Sequence, residues 1–188
     1  MKRGRAGWLA GGALLVALGL SAAGGAFRPH PRVPFGGVTL VDQRGERFTL
    51  EAFHGKRVLL AFATAADGAA GACASVSGKF AYLQHRIDPR RVHLLQVSAD
   101  PLRDSAPGVL PAYGRLYGID ARRWSVAAGA AGDVAAGGRA LVDAAQRAGI
   151  SDVFGAAVAV IDESGRFRGV LDAGSLSPGA LVRAALRR

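Results

Sequence analysis

A single cysteine, Cys73, stands in a chain of 188 residues. One thiol cannot close an internal disulfide, and it cannot run a two-cysteine redox cycle within the chain. No cysteine lies near the N-terminus, which excludes a lipoprotein-type anchor there. There is one methionine, and there are four histidines: His30, His54, His85 and His93. None of them stands at metal-ligand spacing from Cys73 in the sequence. Acidic residues are also short, 14 against 24 lysines and arginines, which leaves a formal net charge of +10. The surplus arginines are scattered, as at Arg90, Arg91, Arg103, Arg115, Arg122 and Arg123. They neither interleave with aromatics nor sit in a nucleic-acid motif, so no nucleic-acid partner is expected. The excess reads as a solvated basic surface or one that meets an acidic partner. A phosphate-cradling glycine loop followed by Lys-Ser or Lys-Thr is missing, and so is a Ser-His-Asp arrangement.

Charge is absent altogether from Ala6 to Phe27, directly after Lys2, Arg3 and Arg5. Trp8, Leu9, Leu14, Leu15, Val16, Leu18 and Leu20 supply the apolar mass. A positive start followed by about 20 uncharged residues predicts a signal anchor or a signal peptide over 1–27. Ser21-Ala22-Ala23 or Gly24–Ala26 offers the small residues of a cleavage site. Either way the remainder is expected outside the cytoplasm, anchored in the inner membrane with its domain in the periplasm, or released there if the signal is cleaved. Residues 28–37 carry Pro29, Pro31, Pro34, Gly36 and Gly37 and predict a stiff tether.

From residue 38 onward the composition is globular, within a chain that is 50% hydrophobic and 20% charged. Val38–Val41 and Arg47–Leu50 flank Asp42-Gln43-Arg44-Gly45 and predict a hairpin. Val58–Ala63, Val92–Val97 and Ala156–Ile161 are continuous apolar runs of the kind buried on both faces of a sheet. Ala65–Ala74 is nearly all small residues and predicts a loop. Ser75–Ile87 carries Val76, Phe80, Leu83 and Ile87 at helical spacing. A second helix holds Val109, Leu110, Tyr113, Leu116 and Tyr117, with Ser105 expected to cap it. Val134–Ala148 predicts a third helix. Glu163-Ser164-Gly165 turns the chain into Arg166–Leu171, and Ser177-Pro178 opens a last helix with Leu181, Val182, Ala185 and Leu186 on one face. Apolar strands alternating with helices predict an α/β sandwich with a mixed central sheet, in the thioredoxin-like order.

Particular stretches then resemble the SCO1/SenC family. Gly55-Lys56-Arg57-Val58-Leu59-Leu60 is similar to the family's approach to its central strand. Val97-Ser98-Ala99-Asp100-Pro101, followed by Arg103, Asp104, Leu110 and Tyr113, resembles its S-x-D-P-x-x-D-T-x-x-x-L-x-x-Y stretch, with one extra residue near Ala106-Pro107 and Ser105 in place of the threonine. Val160–Arg166 resembles its L-V-D-x-x-G-R hairpin. The resemblance runs from about Val38 to the C-terminus, and Ser-x-Asp-Pro is its most specific piece. It implies a membrane-tethered thioredoxin-like domain that assists copper-site assembly in cytochrome c oxidase. The implied partners are the membrane and an oxidase subunit or another assembly factor. It also implies a copper site of two cysteines after the central strand and one histidine before a later strand, a donor set suited to Cu(I).

Aligned on those stretches, the first family cysteine falls on Asp67, the second on Cys73 and the histidine on Phe154. One ligand of three survives. Cys73 is therefore the remnant metal ligand, a reactive thiol or a small half-buried residue. Copper is possible, its expected site is incomplete, and no cofactor is required. As Cys73 directly precedes a predicted helix, backbone N–H groups would favour its thiolate and lower its pKa. Asp67 offers a hard oxygen or is a plain loop carboxylate. Asp100 and Asp104 offer paired carboxylates for acid–base work or cation binding, or they shape a turn and cap a helix. A single-cysteine peroxidase is the alternative enzyme reading. Against it, Gly68-Ala69-Ala70-Gly71-Ala72 lacks the threonine and proline that peroxiredoxins place before their cysteine. A non-catalytic interaction module is the third reading.

Overall fold

The computed structural model describes residues 33–187. The hydrophobic segment expected over 1–27, most of the expected tether and His30 lie outside the described residues. Among the described residues no helix is long and apolar enough to cross a membrane.

Among the described residues seven strands form one mixed sheet. They are β1 (Leu40–Asp42), β2 (Arg47–Phe48), β3 (Arg57–Ala63), β4 (Val92–Ser98), β5 (Trp124–Gly129), β6 (Ala157–Ile161) and β7 (Phe167–Asp172). Their order across the sheet is β2-β1-β5-β4-β3-β6-β7. β4 runs parallel to both β3 and β5, and the hairpins at each flank supply the antiparallel pairs. Among the described residues six helical segments accompany them: α1 (Ala74–Leu83), α2 (Pro101–Asp104), α3 (Val109–Leu116), α4 (Ala131–Arg147), α5 (Val153–Ala156) and α6 (Pro178–Arg187). Short 3-10 turns cover Leu50–Phe53 and Ala65–Ala70.

Strand alternation divides the interior into two layers. Val58, Leu60 and Phe62 of β3 face one side with Leu95 and Val97 of β4, under Val134, Leu141, Ala144 and Ala145 of α4. Leu59, Ala61 and Ala63 face the other, where Val76, Phe80 and Leu83 of α1, Tyr113 of α3 and Leu181 and Ala185 of α6 close over them. Burying a side chain the size of Phe80 contributes about 1.5–3 kcal/mol, so the helical spacing in α1 is enough to seat it. Trp124 is fully buried and meets Phe80 edge to face at 5.9 Å.

β5 lies in a stretch to which the sequence assigns no element; Ala127, Ala128 and Gly129 give it little strand character of their own, and it is held by β4 and β1 on either side. Two expectations are revised. Ser105 does not cap the helix of Val109 and Tyr113. It ends α2, while Gly108, at φ 83°, precedes α3 without any side-chain cap. The chain at 34–37 turns instead of extending, and Phe35 is fully buried, edge to face with Phe62 at 6.1 Å. Phe35 lies over Gly137 of α4, where a Cβ would come within 2.9 Å of the Phe35 Cα. Only glycine permits that approach.

Candidate functional site

In an open sheet with parallel strands, the crevice outside the strands' carboxyl ends is where loops gather to bind ligands. Here the ends of β3 and β4 deliver Thr64, the turn Ala65–Ala70, Cys73 and the stretch Ser98–Ser105. α5 brings Asp152 and Phe154 to the same end.

Asp104 organises the loops. It is buried; its Oδ2 accepts from Ser98 Oγ at 2.6 Å and Ala65 N at 3.0 Å, and its Oδ1 accepts from Ala66 N at 2.7 Å. Ser98 Oγ in turn accepts from Asp100 N at 3.1 Å, and Asp100 caps α2 through Arg103 N at 3.3 Å. The Ser-x-Asp-Pro-x-x-Asp stretch is thus a clamp between two loops. Asp67, at the first expected cysteine position, pairs with Arg103 at 2.8 Å across the same junction. Both faces of that pair are open to water, so its contribution to stability is small.

Cys73 directly precedes α1 and is buried. The lowered pKa expected from its place before a helix is not what the structure gives. Burial pushes the thiol up to about 11, partly offset by a hydrogen bond with the Thr64 side chain, and the carboxylates of Asp104, Asp152 and Asp67 add to the rise. Desolvation outweighs the partial charges of the helix end. At neutral pH the sulfur is a protonated, core-packed thiol, the wrong state for attack on peroxide.

Beneath Cys73 runs a buried polar chain that connects the loop to both parallel strands. Ser77 Oγ lies 2.9 Å from the Cys73 carbonyl, 2.5 Å from Tyr113 Oη and 3.0 Å from Gln96 Nε2. Having one proton, Ser77 donates it to the carbonyl and accepts from the other two. Gln96 Nε2 also donates to the Phe62 carbonyl at 2.9 Å. Burial holds the Tyr113 phenol protonated well above its ordinary pKa. Sequence reading passed over Gln96 and Ser77; a glutamine inside the apolar run Val92–Val97 is the signal that a polar partner waits in the core.

Phe154, at the expected histidine position, is half exposed and packs against Phe62 with ring centroids 5.0 Å apart and the ring planes tilted by 39°. The three described histidines lie elsewhere. His93 sits at the opposite, amino end of β4, buried, stacked on Phe53 at 4.1 Å and 3.1 Å from Ser125 Oγ. His54 abuts Gly165 in the β6–β7 turn, and His85 follows α1. Among the described residues no group of three or more His, Cys, Asp or Glu side chains is placed to hold a metal ion. The donor set present, one protonated thiol and an ion-paired carboxylate, does not fit a copper site of the two-thiolate, one-imidazole kind.

Two clefts flank this end. The larger, about 830 Å³, lies between the β1–β2 hairpin and the start of α3; its Arg44 is already paired with Asp42 and Glu46. The smaller, about 360 Å³, is nearly all apolar and runs between Phe62, Phe154, α2 and α4.

The fold is shared with solved structures of modest sequence identity. A candidate electron transport protein from Aquifex aeolicus VF5 superposes with a TM-score of 0.62 at 20% identity, over 84% of this chain and 96% of that one. Yeast Sco1 with copper bound gives 0.57 at 18%, over 83% and 92%. A SCO1/SenC family lipoprotein from Bacillus anthracis gives 0.57 at 17%, over 79% and 90%. The sequence matches no family profile and no curated protein. The class is therefore set by architecture: a thioredoxin-like domain with a mixed central sheet and flanking helices. Solved structures of the SCO1/SenC type are among those that share this fold.

Proposed function

We propose that the chain is a SCO-like accessory protein of respiratory-oxidase biogenesis, tethered to the membrane by its N-terminal segment and acting by binding a partner. Copper handling in it is weak or lost. The observation that carries this reading is the pairing of Phe154 with Phe62 at the end of the fold where the resemblance calls for an imidazole. An aromatic pair contributes about 0.5–1.5 kcal/mol beyond its buried area, and it offers no donor to a metal. Among the described residues Cys73 is the one soft donor through which a residual copper contact would run. Its burial and its high pKa also weigh against the peroxidase alternative.

Deleting the gene and measuring assembled, copper-loaded oxidase in the membrane tests the role. Reduced oxidase, restored equally by the wild-type chain and by Cys73→Ala, is the expected result. Normal oxidase in the deletion strain refutes it. An alkaline phosphatase fusion after residue 188 reports the side of the membrane, with activity expected.

A further inference from the structure

The cleft of about 360 Å³ beside Phe154 has the features of a docking groove. One wall is the α4 face of Ala131, Ala135, Gly138 and Val142, whose small side chains leave a channel. At 1.5 Å per residue that face is about 16 Å long, the reach of a short peptide segment and more than a single small ligand needs. The floor is Phe62, and the rims are Phe154, 42% exposed, and Leu102, 82% exposed. A leucine that far into water, aligned with an exposed aromatic along one apolar groove, marks a surface that another protein covers. Two charges line the groove. Asp100 is taken up by the α2 amino end and by Arg103, which lies 4.0 Å away. Arg139 is exposed and has no ion pair among the described residues.

We infer that this groove docks a partner segment made of apolar side chains flanked by a carboxylate, with the apolar side chains set against Phe154 and Leu102 and the carboxylate on Arg139. The inference rests on the partner-binding reading above and adds where the partner sits and what its chemistry is. The chain's excess of positive charge favours the same acidic occupant over a second copy of itself.

The probes are two capped synthetic peptides, Glu-Leu-Phe-Leu-Glu and Lys-Leu-Phe-Leu-Lys, titrated into the full chain in detergent micelles and followed by NMR. The acidic peptide is expected to bind, with shifts centred on Phe154, Gly138 and Leu102. The lysine peptide, and the acidic peptide on Arg139→Glu, bind roughly tenfold more weakly, and Arg139→Glu reverses the preference. Leu102 and Arg139 are exposed, so Leu102→Glu and Arg139→Glu leave the fold intact by circular dichroism. Equal binding of both peptides, binding of neither, or shifts elsewhere overturns the inference. So does concentration-dependent dimerisation abolished by Leu102→Glu, which makes a second copy the occupant. Oxidase assembly separates this inference from the reading beneath it. Normal oxidase in the deletion strain, with the peptide result intact, removes the oxidase role and leaves the groove. Defective oxidase in the deletion strain that both variants restore fully removes the groove and leaves the role.

Discussion

Asp104 reaches back from the end of α2 to Ser98 at the end of β4, and the 2.6 Å hydrogen bond between them fixes where the loop after β3 lies. The same carboxylate holds the Ala65 and Ala66 N–H groups. Removing a buried acceptor leaves its donors without partners, at about 1–3 kcal/mol each. Asp104→Ala is expected to lower unfolding free energy by about 3 kcal/mol and to speed amide exchange at Ala65 and Ala66. Asp104→Asn costs less, because its amide oxygen still accepts. Urea titration with hydrogen exchange checks both; an unchanged midpoint in Asp104→Ala removes the clamp.

Cys73 is predicted to resist thiol reagents in the folded state. With its pKa raised to about 11, the reaction rate climbs with pH up to that value and does not level off near 9. The folded state binds the proton more tightly than the unfolded chain, so the thiol's contribution to stability is whole below about 9 and is lost as pH rises towards 11. Labelling rates across that range, native and in urea, decide the point. A plateau at neutral pH in the native protein would mean an activated thiolate.

His93 gives the opposite pH signature at the acid end. Burial lowers its pKa to about 3, so it stays neutral in the fold while the unfolded chain takes up a proton near 6.5. The unfolded state therefore binds more protons between those values, and stability falls as pH drops from 6.5 towards 3. Urea midpoints at acid and neutral pH are expected to converge in His93→Gln relative to the wild type. An equal acid loss in both proteins would assign the effect to other groups.

Copper binding should be recoverable only by restoring the donor set. Phe154→His alone and Asp67→Cys alone each leave the site a ligand short of three. The double variant places a second thiolate and an imidazole at the end of β3 beside Cys73. It is expected to take up copper stoichiometrically, with the thiolate-to-copper absorption that neither single variant shows. Uptake by Phe154→His alone would mean that Cys73 and a histidine suffice.

Most strands were legible because β3, β4 and β6 are apolar runs that need no partner to be recognised. β5 was not, since Ala127-Ala128-Gly129 becomes a strand only between β4 and β1. At the site, the loop sequence told which ligands were gone. It did not tell the state of Cys73, because the local rule of a helix end gives one sign and burial, a tertiary property, gives the other. Asp104 was legible as a turn-shaping residue, but its partners at Ala65 and Ala66 lie 39 and 38 residues away. The exposure of Leu102 and Phe154 along one groove depends on how α2, α4 and α5 meet, which no local pattern encodes.

The end of the fold that gathers Asp67, Cys73 and Phe154 holds an ion-paired carboxylate, a protonated thiol and an aromatic pair. Titrating the full chain with Cu(I) against a competing chelator, beside Cys73→Ala, measures the proposed loss of copper handling. No tight stoichiometric uptake is expected, and no difference between the two proteins beyond weak binding. Tight one-to-one binding that vanishes in Cys73→Ala would mean that a copper site survives around Cys73 and would overturn that loss.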